Sequence, residues 1–214
     1  MSPDRDVPMS QTVIDVAEEL VREGGLKALT IRAVADRAGL SPMTVYRYVD
    51  SKDAMLDKLL LRVLSRVEIP ASFSADWRER IVLVMGAWRA LLVDHSEIVP
   101  LLAERPIPLG SEGLARLQEA VLSNLFEGGM EQSEAVRAFW QIFSVTLGGV
   151  MVDLPRRGLR DEDLVKYGTA LSEVAAERRF THVATLGPQL ASMSGRGSFD
   201  DLLRTLLRGM SKSA

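Results

Sequence analysis

The sequence predicts an all-α protein in two parts, an N-terminal three-helix domain of helix-turn-helix type over residues 1–69 and a larger helical domain over residues 70–214. Three observations predict this. Apolar residues recur every three or four positions along most of the chain, the repeat of a helix with one covered face. The chain is 47% hydrophobic but only 6% aromatic, and its Leu, Ala and Val favour helix. No stretch alternates convincingly as a strand would, and no internal repeat is present.

The elements follow in order. Residues 1–8 read as disordered. Ser10 is a plausible N-cap for a first helix over 10–23, with Val13, Val16, Ala17, Leu20 and Val21 as its apolar stripe and Gly24-Gly25 as its stop. Thr30 caps a second helix whose Ile31, Val34, Ala35 and Ala38 face inward. Gly39-Leu40 is the turn. Ser41 caps a third helix that runs to about residue 48, with Pro42 at its first position, where the missing N–H costs nothing. Asp50 or Ser51 caps a fourth, over 51–69. Pro70, Ser72 and Ser74 mark the break between the two parts. Beyond it, helices are predicted from Trp77 to about His95, near 97–103, over 111–127, 133–154, 161–179 and 181–193. Residues 192–198 read as a flexible connector, and Ser198 with Asp201 as a capping box for a last helix.

Composition narrows the classes of function. The chain has no cysteine, which removes disulfides and thiolate metal sites and fits a cytoplasmic location. The N-terminal stretch is polar and has two prolines, unlike a signal peptide. No apolar run is read as long enough to span a bilayer, so no membrane partner is expected. The net charge is −3, and the first 69 residues are not basic either. Residues 27–52, however, hold Lys27, Arg32, Arg37, Arg47 and Lys52 against Asp36 and Asp50. Phosphate contact needs positive charge locally, not over the whole chain.

Residues 30–52, TIRAVADRAGLSPMTVYRYVDSK, carry the clearest signal. Ala35 is small enough for close helix packing, Gly39 can take the positive φ of a tight turn, and Val45 points inward to lock the second short helix on the first. Such a unit holds one helix rigidly for a DNA major groove. With its flanking helices, over about residues 10–60, the segment resembles the DNA-binding domain of the TetR family of one-component repressors, through Leu29-Thr30, Ala35, Gly39, Thr44, Tyr46, the aromatic position Tyr48, and Lys52. The run 199–210 is similar to the closing helix of the subgroup that includes the tetracycline repressors.

The resemblance implies roles. Thr30, Tyr48 and Lys52 would contact phosphates, and Arg32 a base or phosphate. Ser41, Pro42, Met43, Thr44, Tyr46 and Arg47 would lie at or along the major groove. Met43 departs from the polar or glycine residue of many relatives. Arg47-Tyr48 departs from the Trp-His pair of tetracycline repressors. On chemistry alone, Lys52 sits in a helix's first turn, against the macrodipole, and is either a phosphate anchor or a solvent-screened lysine. Arg47 can read guanine O6 and N7 or remain a solvated helix residue. Tyr46 and Tyr48 are DNA contacts or half-buried core rings.

A single such unit makes few contacts, and a two-fold dimer doubles them on a palindromic double-stranded operator. The helix over 133–154 is apolar nearly all round, and Leu202, Leu203, Leu206, Leu207 and Met210 share a face of the last helix. Together the 133–154 and 199–210 helices are expected to form half of an intersubunit bundle; the alternative is ordinary intrachain core. The family implies a small-molecule effector in the same domain. Met85, Trp88, Leu92, His95, Phe139, Trp140, Phe143 and Thr146 are candidate lining residues, with packing as the competing reading of each and a structural role the competing reading of His95.

No phosphate-binding glycine loop, HExxH, cysteine nucleophile or GxSxG is present. Two histidines far apart in sequence make no persuasive metal site, so no catalytic residue, cofactor or metal is assigned. The expected function is a transcriptional regulator, a repressor released by a small, largely apolar effector. The alternatives are a helical ligand-binding or enzymatic domain whose N-terminal helices are merely structural, and an architectural DNA binder without an effector.

Overall fold

The computed structural model describes residues 6–71, 74–108, 110–192 and 196–210, and every regular element among them is a helix. By contact the chain forms two compact units, residues 1–71 with 90–120, and 72–89 with 121–214.

In the first unit, α1 spans Asp6–Gly24. It starts before Ser10, which lies inside the helix and does not cap it; residues 6–8, expected to be disordered, are its first turn, where a proline is tolerated. Residues 1–5 lie outside the described residues. Val13, Ala17 and Val21 are buried, and Gly25 closes the helix at φ 68° with its N–H on the Val21 carbonyl at 2.7 Å. α2 is Ile31–Ala38, capped by Thr30, whose hydroxyl oxygen accepts the Ala33 N–H at 3.0 Å. Gly39 takes φ 67° and ψ 30°, and the Leu40 N–H returns to the Ala35 carbonyl at 2.9 Å. This left-handed closure turns the chain into α3, Pro42–Val45, with Ser41 as N-cap and proline in the first turn.

α3 is shorter than the sequence predicts. Beyond Val45, the Arg47 N–H bonds to the Thr44 carbonyl at 3.1 Å and the Tyr48 N–H to the Val45 carbonyl at 2.9 Å. These i to i−3 bonds tighten the end into turns, as helix termini commonly do. Ser51, not Asp50, caps α4, Lys52–Ser65. Met55, Leu56, Leu59, Leu60, Val63 and Leu64 of α4 join Val13, Ala17, Val34, Ala35 and Val45 among the buried apolar residues.

The last residues of α5 (Trp77–Asp94), a 3-10 turn over Ser96–Ile98, α6 (Val99–Glu104) and the first half of α7 (Glu112–Glu127) complete the first unit. They grip α4 at both ends. Near its start, Arg105 reaches Asp53 at 3.6 Å and Asp57 at 3.4 Å. At its end, Arg116 donates to the Ser65 carbonyl at 2.7 Å. Gly113 lies so close that an added Cβ would sit 2.5 Å from the Leu64 carbonyl carbon, nearer still to its oxygen.

The second unit contains the rest of α5 and α7 with α8 (Gln132–Asp153), α9 (Asp161–Glu177), α10 (Thr181–Ser192) and α11 (Arg196–Gly209). α8 buries Ala135, Ala138, Phe139, Ile142, Phe143, Thr146 and Val150 on one side. Arg89 donates to Asp153 at 2.7 Å, which joins α5 to the end of α8, and Arg204 of α11 donates to Glu79 of α5 at 2.9 Å. α9 and α10 pair through glycine: a Cβ on Gly168 would meet the Pro188 Cα at 2.7 Å.

Two expectations change here. Ser198 lies inside α11, which already begins at Arg196, so no capping box starts at Ser198; of the expected connector, residues 193–195 lie outside the described residues. The segment Gln132–Arg156, with mean hydropathy 1.4, is also long and apolar enough to cross a membrane by length and composition, contrary to the sequence expectation. One face of it is buried within its unit, and Asp153 near its end pairs with Arg89.

Candidate nucleic-acid interface

α3 and its flanks owe their geometry to three local devices. Val45 is fully buried and ties α3 to the core behind it, Gly39 sets the turn, and Ser41 fixes the start. The Ser41 hydroxyl oxygen accepts the Thr44 N–H at 3.1 Å and lies 2.9 Å from the Thr44 hydroxyl. With Val45 turned inward, the opposite side of this short rod faces outward. Pro42 and Arg47 are exposed, Met43 is 75% exposed and Tyr46 48% exposed. Met43 on α3 and Tyr46 just past its end form an outward apolar and hydrogen-bonding edge.

The predicted phosphate contacts surround this edge. Thr30 is exposed, and its oxygen accepts from Ala33, which leaves its O–H available as a donor. Lys52 is exposed at the first position of α4, and Tyr48 is half-buried. Arg32 is exposed on α2, with only a loose 3.8 Å contact to Asp36. Arg37, the remaining cation of α2, is instead held by a bidentate pair with Glu23, at 3.2 and 2.9 Å.

The sequence carries no signal of one positioning contact. Lys58 of α4 donates to the Tyr48 carbonyl at 2.6 Å and so anchors the chain just past α3. Nor did it show the charge lattice behind the head, where Arg62 pairs with Asp15 and Glu18, and Arg66 with Glu18. Burial opposes ionisation of Glu18, but the hydrogen bond from Arg66 and the charges of Arg66, Arg62 and His95 outweigh it and lower its pKa. His95 completes this cluster, with Nδ1 3.5 Å from Glu97 and Nε2 3.4 Å from Arg66.

The candidate effector residues divide between the units. Leu92, buried, and His95 belong to the first. Met85, Trp88, Phe139, Trp140, Phe143 and Thr146 belong to the second. Met85, Trp88, Phe139, Phe143 and Thr146 are buried, whereas Trp140 is 55% exposed. The Thr146 hydroxyl donates to the Ile142 carbonyl at 2.8 Å.

A head that presents an uncovered short helix, braced from behind and flanked by hydroxyls and cations, defines the class of helix-turn-helix DNA-binding proteins. The comparisons with known proteins specify it. Residues 13–59 match the family model of bacterial regulatory proteins of the tetR family, and residues 69–214 match that of the tetracyclin repressor-like C-terminal domain. The chain belongs to the TetR family and is a DNA-binding transcriptional regulator. It is 28% identical to an HTH-type transcriptional regulator of Saccharopolyspora erythraea, over 94% of this chain and 84% of that protein. It is 29% identical to the HTH-type transcriptional repressor DrrR1 of Streptomyces coeruleorubidus, over 81% of this chain and 67% of that protein. Its fold is similar to that of the TetR family protein ActR of Streptomyces coelicolor in complex with actinorhodin, at TM-score 0.81, 20% identity and 94% coverage of both chains. The family match sets aside the alternative of a merely structural N-terminal unit.

Proposed function

We propose that a homodimer of this chain represses transcription in the cytoplasm by holding a palindromic double-stranded operator, and that a small, largely apolar effector releases it. It acts by binding and not by catalysis. The observation that carries the reading is the outward edge of α3, with Met43 and Tyr46 uncovered in front of the buried Val45. Pro42, Met43, Thr44, Tyr46 and Arg47 enter or border the major groove, with Ser41 at its rim. Thr30, Arg32, Tyr48 and Lys52 hold the backbone. Residues 1–69 act as the DNA-binding part, and residues 70–214 as the effector and dimer part.

The dimer reading is supported by what α8 and α11 leave uncovered. Val136, Trp140 and Met151 form a stripe on α8 away from its buried face, and Leu202 is half-exposed on α11, while Leu203 and Leu207 are buried within the protomer. A palindromic operator calls for such a two-fold pairing, because its half-sites recur about 34–36 Å apart, one turn of DNA. The effector releases the DNA only if it binds more tightly to a conformation with a different head spacing. ActR in complex with actinorhodin shows that a protein of this fold takes a small molecule.

The test is a gel shift with full-length protein on DNA from the promoter region of its own locus, followed by a small-molecule screen for release. Specific retardation, reversed by a compound that leaves the dimer intact, is expected. No specific retardation at any salt concentration would overturn the DNA reading, and retention against every ligand that binds the protein would overturn the effector reading.

A further inference from the structure

Among the described residues of the first unit, Met43 and Tyr46 are the exposed large apolar side chains, and they stand three positions apart on the outward edge of α3. Met43, at 75%, is the most exposed large apolar side chain among all the described residues. The head covers its other apolar residues well: Val34, Val45 and Met55 are fully shielded. A lone exposed methionine needs no explanation on an ordinary surface. Met43 is the second residue of α3, and the leading residues of a recognition helix are the ones that meet base edges.

The polar chemistry beside Met43 is spent or absent. Pro42 has no N–H to offer. The Ser41 hydroxyl oxygen accepts the Thr44 N–H at 3.1 Å, and the two hydroxyls lie 2.9 Å apart, so one hydroxyl hydrogen is held between them. Hydrogen-bonding side chains aimed outward come later, at Tyr46 and Arg47, which are both exposed. The leading edge of α3 is therefore a pyrrolidine ring and a thioether.

In the major groove such an edge has one apolar partner. Purines present N7 with O6 or N6, cytosine presents N4, and thymine alone adds a C5 methyl to its O4 acceptor. Methionine pressed on a hydrogen-bonding edge strips it of water and returns no bond, which costs affinity. Pressed on a methyl, it removes apolar area from water on both sides, and its unbranched, polarisable chain adapts to the gap.

We propose that Met43 determines specificity by reading the C5 methyl of a thymine, once in each half-site, so that the operator carries thymine at one fixed position of each arm. The inference rests on the DNA reading above and names the chemical group that α3 selects. Cytosine at that position, which lacks the methyl, is disfavoured.

The test uses full-length protein and synthetic duplexes of the promoter fragment that it retards, with each thymine in turn replaced by deoxyuridine. The swap removes one methyl and keeps the base pair and its O4 acceptor. Loss of one buried methyl corresponds to about fourfold in affinity, and loss of both symmetry mates to about 15-fold. Anisotropy is expected to find one symmetry-related pair of thymines at which the unsubstituted protein weakens by these factors. At that pair, Met43→Ala and Met43→Gln should bind the thymine and deoxyuridine duplexes equally, while Met43→Leu, still apolar, keeps the difference. Since Met43 is exposed, all three variants should retain the parent's helical spectrum. If every thymine tolerates the swap, or if Met43→Ala stays as sensitive at the pair as the parent, the proposal is overturned and the DNA reading stands. A protein that retards no fragment would overturn both.

Discussion

Two glycines inside helices are expected to respond in opposite ways to the same substitution. Gly86 lies within α5, and a Cβ added there meets nothing within 4 Å. Alanine costs less backbone entropy than glycine in a helix, so Gly86→Ala should stabilise by roughly 0.5–1 kcal/mol. Gly113 lies in the first turn of α7, where the added Cβ would be 2.5 Å from the Leu64 carbonyl carbon and 3.0 Å from the Ser65 nitrogen. Both neighbours are backbone and cannot swing aside, so α7 must draw back from the end of α4. That strain alone costs roughly 1–3 kcal/mol by the measure of overpacked cores. The withdrawal also stretches the 2.7 Å bond from Arg116 to the Ser65 carbonyl, worth roughly another 1 kcal/mol. For a chain of this size each kcal/mol moves Tm by about 2–4 °C. Thermal unfolding followed by circular dichroism should therefore rise by about 1–4 °C for Gly86→Ala and fall by about 4–16 °C for Gly113→Ala. A Gly113→Ala protein as stable as the parent would refute the contact between α7 and α4, and with it the grip on the helix that carries the head.

Other outcomes follow from the same structure. Lys58→Met keeps the side-chain stem but removes the donor to the Tyr48 carbonyl; operator affinity by fluorescence anisotropy should fall roughly 3–10-fold, about 1 kcal/mol, with the helical spectrum unchanged. Because Glu18 has its pKa lowered in the folded protein, its contribution to stability is present above the ordinary carboxylate range and is lost as pH falls through the lowered value. Urea midpoints taken from neutral pH downward should fall in that acidic window, and Glu18→Gln should flatten the fall while lowering stability at neutral pH. Leu202→Glu on α11, half-exposed in the protomer, should shift the sedimentation mass from dimer to monomer and weaken operator binding in parallel; an unaltered dimer would place the interface elsewhere.

The head was largely legible because its signals are local. Thr30, Ser41 and Gly39 act within four residues of their own positions, and the structure shows the two caps and the left-handed turn where the spacing predicted them. Ser10 and Ser198 show the limit of the same logic: a serine ahead of an apolar stripe resembles a cap, yet each helix had already begun upstream. The contacts that grip α4 were not legible. Arg105, Gly113 and Arg116 matter because chain some fifty residues away lies against them, and no periodicity encodes that approach. The stripes on α8 and α11 were visible as apolar, but only three-dimensional packing separates the inward Leu203 and Leu207 from the outward Leu202.

The measurement closest to the central claim is operator affinity of the double variant Tyr46→Ala with Arg47→Ala, by anisotropy, with the dimer mass monitored by light scattering. A base contact by Arg47 alone contributes roughly 1–3 kcal/mol and occurs twice per dimer, so a loss of about 30-fold or more is expected from a protein whose mass and melting temperature do not change. Unchanged affinity in a folded dimer would contradict the assignment of α3 as the DNA-reading helix.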